Sequence, residues 1–157
     1  MPSINFDNLF LQIKSLLEGE NDLIANLSNT AAALHIALNQ HWTGFYIVKN
    51  DQLVLGPFQG PVACTRIARG KGVCGAAWLT KQAIIVDNVH EFEGHIACSA
   101  LSNSEIVVPI LVNNEVQAVL DIDSTAYSAF NNHDLEFLTK VCGLLSESFK
   151  INRDKLN

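Results

Sequence analysis

The sequence predicts an α+β domain, an antiparallel sheet with helices packed on it. Two observations carry that expectation. Apolar residues recur at three and four in two stretches that open the chain and one that closes it. Between them lie two pairs of short β-rich runs, each split by a turn dipeptide, Asn50-Asp51 and Asn113-Asn114.

The elements follow in chain order. Phe6, Leu9, Phe10, Ile13, Leu16 and Leu17 give a first helix with one apolar face, stopped by Gly19. Asn21 or Asp22 caps a second, with Leu23, Leu27, Ala31, Leu34 and Leu38 on one stripe. The period then changes to that of strands, at Trp42 to Val48 and Leu53 to Phe58. Residues 59–71 (QGPVACTRIARGK) are broken by Gly and Pro and read as a loop. Cys74 to Thr80 reads as a short helix and Ala83 to Val86 as a small strand, before a long polar loop over 87–104. Loops of that length in a compact domain usually serve function. Ile106 to Val112 and Val116 to Ile122 form the second strand pair. Leu135, Leu138, Cys142, Leu145 and Phe149 mark a final helix from Asn132 to about Ile151. The expected organisation is one domain over 1–157: helices over 1–39, sheet and active-site loops over 41–123, and a closing helix over 132–152.

The 157 residues are 48% hydrophobic, enough for a core of its own. Ten basic against sixteen acidic residues give a net charge of −6, with no basic stripe. Nucleic acid and anionic membrane are therefore disfavoured as main partners. The opening stretch MPSINFDNLFLQIKSLLEGE has none of the layout of a signal peptide, and no apolar run approaches membrane-spanning length. The expected location is the cytoplasm, where thiols stay reduced.

That makes the four cysteines informative. Cys142 falls on the apolar stripe of the last helix and reads as a small core residue. Cys64, Cys74 and Cys98 all lie in or beside the irregular middle of the chain. They read as buried filler, as zinc ligands with His90 and His95, or as thiol redox groups. Zinc is the weaker reading, because separations of ten and twenty-four residues with no Cys-x-x-Cys pair match no standard site. Redox chemistry needs a nucleophile and a second thiol on adaptable backbone, and loops supply both. Cys98 is the best nucleophile, with His95 three residues before it able to favour the thiolate if protonated and close.

Acids stand nearby in sequence. Asp121 and Asp123 end an otherwise apolar strand and, two apart, point to one face. A strand end running into solvent is one account of them. The other adds Glu105 as a third acid. A two-residue turn at Asn113-Asn114 pairs Glu105 with Ile122, on the wrong face. A longer turn, or a bulge near Pro109, pairs it with Asp123, and that register is expected. Converging acids cannot all ionise, so a carboxylic acid persists near neutral pH and can donate a proton to a polar oxygen such as that of a sulfoxide. Trp42 and Tyr46, four apart on the first strand, share a face, either as core aromatics or as an apolar wall for a methyl group.

Four strings together, HWTGFYIV (41–48), GKGVCGAAW (70–78), HIACSALSNSEIVVP (95–109) and AVLDIDS (118–124), resemble the free methionine-R-sulfoxide reductase family, which is built on the GAF fold. The resemblance runs from about residue 41 to 149. It implies a single GAF-like domain that reduces free L-methionine (R)-sulfoxide, needs no bound cofactor or metal, and is re-reduced by thioredoxin. Cys98 matches the family's catalytic cysteine, and Cys64 and Cys74 match its disulfide partners, Cys64 the favoured resolving residue. Glu105, Asp121 and Asp123 match the acidic cluster that holds the sulfoxide, and Trp42 and Tyr46 the aromatic wall. Ser99 departs from the Asp common after the catalytic cysteine. A homodimer through the helices is a mild expectation. The competing readings are a non-catalytic GAF sensor of a small ligand or oxidant and a zinc-binding interaction module.

Overall fold

A computed structural model describes residues 4–152. Helices α1 (Phe6–Leu17) and α2 (Leu23–Leu38) open the chain. Strands β1 (Trp42–Lys49), β2 (Gln52–Gln59) and β3 (Arg66–Ala68) follow, then helix α3 (Gly72–Thr80), strand β4 (Ile84–Val86) and a 3₁₀ turn at Val89–Glu91. Strands β5 (Ser104–Val112) and β6 (Glu115–Ser124) and helix α4 (Asn132–Asn152) complete it. Of the domain expected over 1–157, residues 1–3 and 153–157 lie outside the described residues.

The ends of these elements have local causes. Asp22, not Asn21, caps α2, its carboxylate accepting from the Ala25 amide at 2.9 Å. Both hairpins turn through paired left-handed residues, Asn50 and Asp51 at φ 49° and 57°, Asn113 and Asn114 at 51° and 63°. That is the backbone a two-residue hairpin requires, and Asn and Asp tolerate it best after Gly.

The six strands lie in the order β3-β2-β1-β6-β5-β4, antiparallel throughout. Strand alternation gives the sheet two different faces. Phe45, Ile47, Ile106, Val108, Ile110, Leu120 and Ile122 face α1, α2 and α4 in the larger core. Trp42, Tyr46, Val107 and Val119 face the other way, into a smaller core with Cys74, Ala77 and Trp78 of α3. Cys142 is buried in the larger core.

One detail differs from the expectation, and the expected Glu105 register is reached by the second of its two routes. Residues 66–68, read as loop, add a third strand to the β1–β2 edge, too short to carry its own alternation. The second hairpin has a two-residue turn, yet Glu105 pairs with Asp123. The register shifts between Ile110 and Leu111, where β6 runs from Val116 to Ala118 and leaves Gln117 unpaired. A bulge on β6 thus restores the parity that the short turn alone would break.

Candidate active site

The second face of the sheet carries a pocket of about 530 Å³, its open mouth included. Trp42, Tyr46, Cys74, His95, Cys98, Glu105, Asp121 and Asp123 all line it. The central strands supply its floor: β1 the two aromatics, β5 Glu105, β6 the two aspartates, all on the face away from the helices. Helix α3 supplies Cys74, and the loop after the 3₁₀ turn supplies the mouth.

Cys64 and Cys98 form a disulfide at that mouth, Cα atoms 5.4 Å apart across 34 residues of chain. Both are half-buried. The loop that carries Cys64 is held from below. Tyr46 donates its hydroxyl proton to the Cys64 carbonyl at 2.9 Å, and Trp42 donates Nε1–H to the Pro61 carbonyl at 3.1 Å. Trp42 stacks between Tyr46 and Phe58, centroids at 5.9 and 5.3 Å. Gly44 makes room for this stack, because a Cβ there would lie 2.6 Å from the Trp42 ring and 2.4 Å from Phe58 Cβ. The aromatics are therefore both wall and anchor. The loop that carries Cys98 is held beside the mouth, where Ser99 Oγ lies 3.1 Å from His41 Nε2.

The acids sit deeper. Glu105 and Asp121 are 5% and 6% exposed, and among the described residues no lysine or arginine is paired with them. Burial, then the charge of Asp123, pushes the Glu105 carboxyl up to about 8. Burial, then Glu105, pushes Asp121 well above the carboxylate range; burial, then Asp121, does the same to Asp123, against an opposing hydrogen bond from Ser102. Near pH 7 the cluster therefore holds protons. Desolvation is the larger cause throughout, and mutual repulsion adds to it.

Cys74 is a free thiol inside this cluster, its Sγ 4.0 Å from Glu105 Oε1. Burial and the three acids push it well above the usual thiol range, so it is not a ready nucleophile. His95 approaches Glu105, Nε2 to Oε2 3.6 Å, instead of standing as a cation beside Cys98. Burial lowers its pKa, so this is a contact between two neutral groups and not an ion pair. The condition for His95 to favour the Cys98 thiolate by charge is thus unmet. His90 is elsewhere, Nε2 3.0 Å from Asn103 Oδ1, so the alternative set of cysteines with His90 and His95 does not assemble as a metal site. Among the described residues, Cys74, Glu105 and Asp121 form the group with metal-ligand spacing, their ligand atoms within 4.8 Å of one another.

Ser102 and His41 were invisible to sequence reasoning. Ser102 lies in a polar run that offers no reason to prefer it over its neighbours. His41 precedes the first strand, and its meeting with Ser99 depends on how the loop folds back.

A six-stranded antiparallel sheet with three helices on one face and a pocket under loops on the other defines a GAF-type domain, here with a thiol pair and buried acids in the pocket. Residues 22–149 match the model of the GAF domain family. GAF domain-containing protein A of Dictyostelium discoideum is 50% identical over 89% of each chain. Free methionine-R-sulfoxide reductase of Escherichia coli is 45% identical over 90% of this chain and 87% of its own. The crystal structure of free methionine-R-sulfoxide reductase from Neisseria meningitidis in complex with its substrate superposes with a TM-score of 0.92 at 43% identity, covering 96% of this chain and 91% of that one. The chain belongs to the free methionine-R-sulfoxide reductase family of GAF domains.

Proposed function

We propose that this chain reduces free L-methionine (R)-sulfoxide to methionine. The observation that carries the reading is a disulfide, Cys64–Cys98, at the mouth of a pocket whose floor is a proton-holding acid cluster. In the reduced state the Cys98 thiolate attacks the sulfoxide sulfur while a carboxyl of the cluster donates a hydrogen bond or proton to the sulfoxide oxygen. The sulfoxide gives up its oxygen and gains two electrons. Methionine leaves and Cys98 becomes a sulfenic acid. The Cys64 thiol then attacks that sulfur, the disulfide forms and the oxygen departs as water. A dithiol protein of the thioredoxin type reduces the disulfide by exchange, taking the oxidation onto its own cysteines. Trp42 and Tyr46 wall the methyl end. Depth and narrowness favour a free amino acid over a residue in a polypeptide.

No helix among the described residues is long and apolar enough to cross a membrane. A reducing cytoplasm suits a cycle that needs thiols regenerated. Exposed Leu11, Leu16, Ile24 and Ile36 on the first two helices suit pairing with a second copy.

Separated R and S epimers of the free amino acid, with a peptide-bound control, test the reading. Consumption of the free R epimer only is expected. Cys98→Ser abolishes turnover, and Cys64→Ser gives a single burst of methionine without recycling. Full activity in Cys98→Ser, or no consumption by the wild type, sinks it; the second result favours a GAF sensor.

A further inference from the structure

The buried acids and Cys74 invite a second question: what else could occupy their side of the pocket? The groups are Cys74 Sγ, Glu105 and Asp121, contributed by α3, β5 and β6. A buried carboxylate oxygen of Asp121, Oδ1, has no hydrogen-bond partner. Orphaned buried oxygens are uncommon in folded proteins, and a carboxylate oxygen can only accept unless it is protonated. A cation would satisfy it.

We propose that this thiol and carboxylate set is a zinc(II) site, and that zinc inhibits the enzyme by taking the place of the sulfoxide. The donors are of the right kind: one sulfur, two carboxylates and, at the pocket mouth, an imidazole. Around tetrahedral zinc, with bonds of roughly 2.3 Å to sulfur and 2.0 Å to oxygen, a sulfur and an oxygen ligand stand about 3.5 Å apart. Cys74 Sγ and Glu105 Oε1 are 4.0 Å apart, so that pair needs to close by only a few tenths of an ångström. The widest pair, at no more than 4.8 Å, needs to close by at most about 1.5 Å, within reach of side chains turning about their own bonds. His95 Nε2, 3.6 Å from the second Glu105 oxygen and outside the group of three, would have to move inward to fill the fourth position, which water fills otherwise.

The charges also fit. Three groups whose negative forms repel one another in a desolvated pocket are stabilised together by a dication, and the protons they hold leave as the metal enters. Cys74 is outside the disulfide, so the site exists in the oxidised protein as well. Oxygen ligands alone would suit magnesium or calcium; the sulfur selects a softer metal.

Inhibition rests on the reading of this pocket as the sulfoxide site; zinc binding by itself does not. The disulfide form is the protein to titrate, because Cys64 and Cys98 are then unable to bind metal. Zinc chloride is titrated against a chromophoric chelator, and cobalt(II) is used as a coloured substitute. One zinc per chain is expected, with affinity at least tenfold weaker in Cys74→Ser and in Asp121→Asn and unchanged in Cys142→Ser. The cobalt form of the wild type should carry a thiolate charge-transfer band that Cys74→Ser lacks. With a phosphine reductant, zinc should raise the KM for free methionine sulfoxide and leave kcat unchanged. The absence of the thiolate band in the wild type overturns the proposal without recourse to variants that could misfold. Zinc binding that survives both substitutions overturns it too. Zinc bound at the site in a protein with no reductase activity sustains the metal site and sinks the catalytic reading instead. An active enzyme that binds no zinc does the reverse.

Discussion

Replacing Glu105 with glutamine keeps the shape of the side chain and removes its proton equilibrium. In the folded protein the carboxyl titrates at about 8, against 4.5 for an unperturbed glutamate. Between those values the folded chain holds a proton at this site that the unfolded chain has lost. Such a group contributes stability that is fully present below the unfolded value and is lost as pH rises through the folded one. Each pH unit inside the window removes about 1.4 kcal/mol, and the whole window is on the order of 5 kcal/mol. That is a large share of the stability of an ordinary domain. Asp121 and Asp123, also raised, act with the same sign. His35 and His95, whose pKa values burial lowers, act oppositely, since their folded forms hold fewer protons. Their effect is confined below about pH 6.5, the unperturbed histidine value. The comparison is therefore read from there up to about pH 8. Urea unfolding of the disulfide form at a series of pH values should give a wild-type stability that falls with pH. The Glu105→Gln line should be shallower by about 1.4 kcal/mol per unit, and more if Asp121 relaxes once Glu105 carries no charge. Parallel lines would mean that Glu105 is ionised throughout, and the cluster could not then supply a proton at neutral pH.

Three further outcomes follow from the same geometry. Gly44→Ala forces a methyl against Trp42 and Phe58; it should cost about 1–3 kcal/mol in urea unfolding and raise the KM as Trp42 is driven toward the pocket. Tyr46→Phe leaves the Cys64 carbonyl without its donor; it should lower the stability of the disulfide form by about 1 kcal/mol and slow disulfide closure after one oxidation, while the methionine burst is unchanged. Deleting Gln117 should be tolerated. It removes the unpaired residue and leaves Val116 opposite Leu111, Ala118 opposite Ile110 and Glu105 opposite Asp123. Loss of activity in a folded deletion variant would show that the bulge does more than set register.

The parts legible from sequence were those with a local cause. Helical stripes such as Leu23, Leu27, Ala31 and Leu34 follow from burying one face. Asn50-Asp51 and Asn113-Asn114 announce their turns because few other residues accept that backbone. The two aspartates were placed on one face by strand period alone. What stayed hidden depends on distant parts of the chain. Nothing in EVQAV marks Gln117 as the bulged residue. Three thiols in or beside loops do not say which two can meet, since Cys64 and Cys98 come together at the pocket mouth although β2 and β5 lie on opposite sides of the central strands. Cys74 could not be assigned to the acid cluster until α3 was known to cover the second face.

A sheet with three acids on one face, two of them buried, is at first sight a poor foundation for a catalytic pocket. The opposite face explains why it holds. Ile106 lies between Glu105 and Val107, and Leu120 and Ile122 flank Asp121, so every acid-bearing segment is fixed from behind by fully buried aliphatic side chains. Burial of each contributes about 1.5–3 kcal/mol, and Ile106, Val108, Leu120 and Ile122 together match or exceed what the Glu105 carboxyl loses over its pH window. The pairing of Glu105 with Asp123 is also locked into nine consecutive β5–β6 pairings, so the acids cannot relax by slipping apart. The cysteines are treated oppositely. Cys64 and Cys98 sit on loops tied down at a few points, among them Tyr46, Trp42 and His41, where opening and reclosing a disulfide disturbs no ladder. The cycle divides the work accordingly: groups that must hold protons against their own repulsion are on rigid strands, and groups that must exchange partners are on loops.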